Sequence, residues 1–173
     1  RLFQLTWQEG TCFLYDAATL RQTGTFTYQH QGWGLTSDNH SLILSDGTSI
    51  LRFLDPQTFT VRKSIKVTDG SAPVELLNEL EYASPFIYAN IWRTDYIVRI
   101  SPESGEVQGW IDCAPLVREV AQSAGTDVLN GIAIDPADGT FLVTGKNWPI
   151  LFRIRLLAAD RDTKPGDDHG PIH

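Results

Sequence analysis

The sequence has no methionine, only two cysteines and four histidines, and fewer basic than acidic residues, 14 against 21. Each shortage removes a class of answer. A formal charge of −7 with no clustered Lys or Arg excludes a surface built to neutralise phosphate, so neither a nucleic-acid partner nor an anionic membrane is expected. No apolar run approaches the roughly 18 residues of a membrane span, and the first residues do not resemble a signal peptide. Cys12 and Cys113 are too few and too far apart for a disulfide framework or a zinc knuckle, and read as buried thiols. His30, His40, His169 and His173 lack the short spacings of a metal site. There is no G-x-S-x-G elbow and no phosphate-cradling glycine loop, so no metal and no cofactor are expected. Without a methionine, Arg1 is not a translation start, and the chain reads as a processed product or as part of a longer one.

What is present is an internal repeat within an otherwise ordinary globular composition, 42% hydrophobic and 20% charged over 173 residues. The segments "WQEGTCFLYDAATL" from Trp7, "DGTSILRFLDPQTF" from Asp46, "WRTDYIVRISPESG" from Trp92 and "KNWPILFRIRLLAA" from Lys146 each open on a polar turn and continue into an alternating strand. They start 39, 46 and 54 residues apart, the last step lengthened by "DCAPLVREVAQSAG", which reads as a short helical insertion over about 112–125. A period near 40 to 45 with several short strands per unit is the signature of a β-propeller blade. The fold expected is therefore all-β, a partial propeller over residues 1–159, followed by a polar, flexible tail over 160–173.

Upstream of three of these turns lies another strand opener, at Trp33, Asn78 and Asn130. The distances of 13, 14 and 16 residues to Asp46, Trp92 and Lys146 suit one strand out and one back. A path that returns ends at the rim where it began. Trp7, Trp33, Asp46, Asn78, Trp92, Asn130 and Lys146 are thus expected to share one end of the propeller, as aromatic walls with a few polar groups converging on a small-ligand pocket. Each has a plainer reading as well. Tryptophans pack between blades, the role assigned to Trp110 in "EVQGWID"; Asp46 in "SDGTS" is also a turn former; Asn at a strand opening is also a cap. "DPADG" at 135–139 is read as a turn and not as a calcium loop, for it lacks the ligand spacing.

The motifs "QLTWQEG", "GWGLTSD", "LSDGTS", "LNELEY", "NIWRTDYIVRI", "GWID", "LNGIAIDP" and "VTGKNWP" resemble, in that order, those of the plant- and bacterial-type glutaminyl cyclases, or glutamine cyclotransferases, from about Phe3 to about Leu156. The resemblance implies a five-bladed propeller, of which this chain supplies roughly the last three and a half blades. It implies conversion of the N-terminal glutamine of a peptide or protein to pyroglutamate with loss of ammonia. Carried over by motif, Asn78 and Lys146 are the catalytic pair and Trp7, Trp33 and Trp92 bind substrate; Asn130 and Asp46 join them from the strand count. Glu79 and Glu81 receive no role. The family's acid/base glutamate would fall about 14 residues before Trp7, upstream of Arg1, and Glu9 is no substitute. Five blades need over 200 residues, so an N-terminal blade or a partner chain is expected to close the propeller. A periplasmic or secreted location is implied by the resemblance alone. The alternative is a non-catalytic propeller that binds peptides at the same aromatic mouth.

Overall fold

The computed structural model describes residues 1–156; the tail expected over 160–173, and the last residues of the expected domain, lie outside the described residues. The described chain is a succession of antiparallel meanders. β1 (Leu2–Leu5), β2 (Thr11–Tyr15) and β3 (Gln22–Thr27) form a first sheet. β4 (Gly34–Ser37), β5 (Leu42–Ser45), β6 (Ile50–Leu54) and β7 (Val61–Lys66) form a second. A short hairpin, β8 (Thr68–Asp69) with β9 (Ala72–Pro73), leads to the third, made of β10 (Leu77–Ala83), β11 (Phe86–Ile91), β12 (Tyr96–Ile100) and β13 (Val107–Asp112). Helix α1 (Ala114–Val120) precedes the fourth, β14 (Leu129–Ile134), β15 (Phe141–Gly145) and β16 (Phe152–Ile154). These sheets are blades of a β-propeller, numbered 1 to 4 in the order of this chain. The helix falls inside the insertion read at 112–125, with Pro115 in its first turn, where a missing N–H costs nothing.

The cores explain the strand patterns. A blade packed on both faces needs apolar side chains at every position and not at alternate ones. β5 is buried throughout: Leu42 and Leu44 pack toward blade 1 with Cys12, Leu14 and Phe59, while Ile43 packs toward blade 3. β12 divides likewise, Val98 and Ile100 toward blade 2 and Ile97 toward blade 4. Three apolar clusters result, one in each seam between consecutive blades. Cys12 and Cys113 are buried free thiols, raised by desolvation to about 11 and about 12. Trp110 departs from its expected place. It lies on the outer strand β13, 37% exposed, its ring edge-on to Tyr96 and its indole N–H donating to Asp69 on β8.

Two turns recur. At the end of the strands opposite the rim, six-residue turns from Asp16, Asp55, Ser101 and Asp135 close with the first N–H on the sixth carbonyl at 2.8–2.9 Å. Their fifth residues, Leu20, Phe59, Gly105 and Gly139, all have positive φ. The segment "DPADG" is one of these turns. At the other side, the rim turns after β5, β11 and β15 put Gly47, Arg93 and Asn147 at φ of 84°, 63° and 59°.

Candidate active site

The inner strands β4, β10 and β14 open, and the second strands β5, β11 and β15 end, at the same rim. Seven residues there surround a cavity of about 400 Å³: Trp7, Gly32, Trp33, Asn78, Trp92, Asn130 and Lys146. Six are among the residues read from the sequence. Asp46 is not one of them. Its carboxylate accepts from the Thr48 backbone N–H at 3.1 Å, from the Thr48 hydroxyl at 2.6 Å, and from Arg52 Nη1 at 2.6 Å in a largely buried ion pair. The plainer turn-forming reading describes it, since both oxygens are engaged by Thr48 and Arg52 of its own sheet.

The aromatic wall is built by contacts at close quarters. Trp33 and Trp92 meet edge to face, with ring centroids 5.3 Å apart at 81°. Gly47 backs the Trp33 ring so closely that a Cβ there would lie 2.7 Å from ring carbon Cζ2. Trp7 is 60% exposed, yet its ring is tethered. Its indole N–H donates to Gln31 Oε1 at 2.8 Å, and the Trp33 indole donates to the same oxygen at 2.7 Å. Gln31 therefore orients two of the three rings. Sequence reading missed it, and its signal was slight: a glutamine two residues before Trp33. Arg93 lies over the Trp92 ring at 4.4 Å from guanidinium to centroid.

The polar groups are held from below. Asn78 is 6% exposed, and its backbone carbonyl accepts the buried Ser45 hydroxyl at 2.6 Å. Gly34 packs on that carbonyl so tightly that a Cβ would overlap it. Among the described residues the Asn78 side-chain amide has no hydrogen-bond partner, which leaves its donors for whatever occupies the cavity. Asn130 spends its carbonyl oxygen on the Glu79 backbone N–H at 3.4 Å and retains its NH2 group. Asn90, fully buried on β11, accepts from Gly131 N–H at 3.2 Å while its Nδ2 is without a partner. Lys146 makes no ion pair among the described residues, and its backbone N–H is fixed on the Val128 carbonyl at 2.9 Å.

Below the mouth lie the two carboxylates that the sequence left without a role. Glu81 accepts the Ile134 N–H at 2.9 Å with one oxygen and the Thr36 hydroxyl at 3.4 Å with the other, so one side chain joins β10 to β14 and to β4. Thr36 in turn accepts the Tyr82 N–H at 3.0 Å. Burial, reinforced by the charge of Glu81, raises the Glu79 carboxyl from 4.5 to about 7. Neither glutamate lines the cavity, and no carboxylate is among its seven lining residues.

The site is thus an aromatic slot whose free polar groups are mostly N–H donors, with Asn78 Oδ1 as a free acceptor. It can hold a flat, neutral, acceptor-bearing group such as a primary amide.

Comparison with known proteins agrees with the residues. Residues 1–156 match the family model described as Glutamine cyclotransferase. The chain is 44% identical over 162 residues to the glutaminyl-peptide cyclotransferase of Arabidopsis thaliana, covering 92% of this chain and 51% of that protein. The chain therefore spans about half the length of the curated relative it matches. The crystal structure of Myxococcus xanthus glutaminyl cyclase superposes with a TM-score of 0.88 at 42% identity, over 92% of this chain and 70% of that one. The chain belongs to the glutamine cyclotransferase family.

Proposed function

We propose that the cavity at this rim binds the N-terminal glutamine of a peptide or protein and cyclises it to pyroglutamate. One observation carries the reading: three tryptophans and three amide or amine donors, drawn from four blades, surround a single cavity. Support for the reaction comes from the family; support for the roles comes from the geometry.

The reaction is intramolecular. The substrate's α-amine attacks its own side-chain amide carbon, a tetrahedral intermediate forms, and the bond to the departing nitrogen breaks to release ammonia. With the nucleophile already tethered, folding glutamine into a near-attack shape supplies much of the acceleration, several kcal/mol in favourable cases. The faces of Trp7, Trp33 and Trp92 confine the side chain. Asn78 and Lys146 donate to the amide oxygen as it gains negative charge. Asn130 NH2 adds a further donor.

Protons must also move. An α-amine with a pKa of roughly 8 sheds one before it attacks, and the leaving nitrogen must gain one. A single carboxyl can carry out both transfers. Because no lining residue is a carboxylate, the proposal assigns this shuttle to a glutamate contributed by chain upstream of Arg1 or by a partner chain, as the family resemblance implies. An exported location belongs to the same proposal and rests on the family alone.

Ammonia release from a glutamine-initiated dipeptide tests the reading, with Asn78→Ala beside the unchanged protein. Turnover that falls about 100-fold or more in the variant, with the melting temperature held, is the expected result. Equal rates in the two would remove Asn78 from the chemistry. Peptide binding with no ammonia at all would favour the second reading, a peptide-binding module, for which the absence of a lining carboxylate is the specific support.

A further inference from the structure

The rim turns of blades 2, 3 and 4 share a positive φ at their third residue but not one residue type. In blades 3 and 4 the turn closes with Thr94 N–H on the Ile91 carbonyl at 3.1 Å and Trp148 N–H on the Gly145 carbonyl at 3.2 Å. Its third residue has positive φ, a position that favours glycine and, after it, asparagine. Blade 2 supplies Gly47 there and blade 4 supplies Asn147. Blade 3 supplies Arg93, at φ 63°, whose Cβ crowds the backbone in that conformation. Glycine or asparagine would make this turn with less strain, so the arginine answers to something other than the fold.

Its side chain has one structural role in view among the described residues, the contact with Trp92, and no polar partner. Arg93 is exposed, and among the described residues it makes neither an ion pair nor a hydrogen bond. Its guanidinium lies over Trp92, 4.4 Å from the centroid of a ring that lines the cavity. Stacking holds a guanidinium by its face and leaves its N–H groups, which lie in the plane, pointing sideways. A planar fork of donors therefore stands beside a residue of the cavity wall, on a protein whose formal charge is −7.

We infer that Arg93 is a specificity residue that contacts the part of the substrate just beyond its N-terminal glutamine and favours an acidic side chain there. The inference rests on the cyclase reading. With the glutamine side chain in the slot, the peptide leaves through the mouth, and its second residue is one Cα step, about 3.8 Å, from the first. A carboxylate at that place meets the fork in the bidentate geometry that arginine suits and lysine does not.

The test compares three amidated tripeptides, Gln-Glu-Ala, Gln-Gln-Ala and Gln-Lys-Ala, so that no terminal carboxylate competes. The unchanged protein is expected to prefer Glu over Lys by about threefold to tenfold in kcat/KM, with the preference shrinking as salt is raised. Arg93→Gly and Arg93→Asn, the residue types found at the equivalent turns, should fold and bring that ratio close to one. A loss that is equal for all three peptides would overturn the inference and leave Arg93 as a brace for Trp92; so would an unchanged ratio. Affinities for the same peptides, measured by calorimetry, separate the two levels of argument. No ammonia from any peptide, but an acidic preference in Kd that vanishes in Arg93→Gly, would defeat the cyclase reading and support the Arg93 contact. Equal Kd values for the three peptides, or no binding of any, would overturn the contact itself.

Discussion

In blade 2 the first residue of the rim turn, Asp46, bonds its carboxylate back onto Thr48 and Arg52 of its own sheet, whereas in blade 3 the residue at that place, Trp92, lines the cavity. The next residue differs in the same sense: Gly47 takes its positive φ without strain and backs Trp33, while Arg93 holds a strained φ and stacks on Trp92. The strands beneath are equivalent, four to a sheet with antiparallel neighbours. A repeated backbone thus fixes where side chains emerge and leaves open what they do. Function collects where the turn does not need the residue for itself.

The contrast breaks most visibly by truncation. Trp92→Ala should lower turnover of a glutamine-initiated peptide by roughly 100-fold with little change in melting temperature, since it removes a wall and leaves the sheet intact. Asp46→Ala should do the reverse. It strands Arg52 in a largely buried ion pair, costing about 2–4 kcal/mol in a denaturant titration, while turnover stays within about twofold. Similar profiles for the two variants would dissolve the distinction between the blades.

The inner strands sharpen it. β4 of blade 2 reads GLTS, without a carboxylate, while β10 of blade 3 carries Glu79 and Glu81. Because the folded state raises Glu79 from 4.5 to about 7, it holds that proton more tightly than the unfolded chain. The contribution to stability is complete below about pH 4.5 and is lost as pH rises toward 7, amounting to about 3 kcal/mol at most. Glu79→Gln should flatten stability across that window; an unchanged slope would mean that another group carries it.

The smallest effect lies at the turns opposite the rim, where Leu20 and Phe59 share a positive φ but not an environment, Leu20 being 67% exposed and Phe59 stacked on Phe26 with centroids 5.3 Å apart. Leu20→Gly should leave turnover alone and stabilise by about 0.5–1 kcal/mol, a gain of a few degrees in Tm. A loss would show that the exposed leucine has a partner.

The blades and the rim were legible because both follow from counting. Alternating strands and turns set the repeat, and an out-and-back path returns each opener to the end of its partner strand, which puts Trp33 and Trp92 at one rim. The same count brings Asp46 to the rim, where it lies, but registration does not say which way a side chain leans, and its carboxylate is taken up by Thr48 and Arg52. Gln31, Glu81 and the stacking of Arg93 were not legible, since each depends on groups brought together through space, as when Glu81 meets Thr36 and Ile134 from two other blades. The shift at Glu79 needs burial that no local spacing encodes.

Because each apolar cluster lies between two sheets and none lies within one, no blade has an interior of its own. Cooperativity in such an array passes from neighbour to neighbour. The cavity borrows Trp7 from the first sheet, Trp33 from the second, Asn78 and Trp92 from the third, and Asn130 and Lys146 from the fourth, so its width is a readout of how closely four sheets pack. A methyl group lost from a seam such as Ile43 to Leu80 would reach the mouth as a change in the spacing of its walls, and activity would report packing errors far from any residue that touches the substrate.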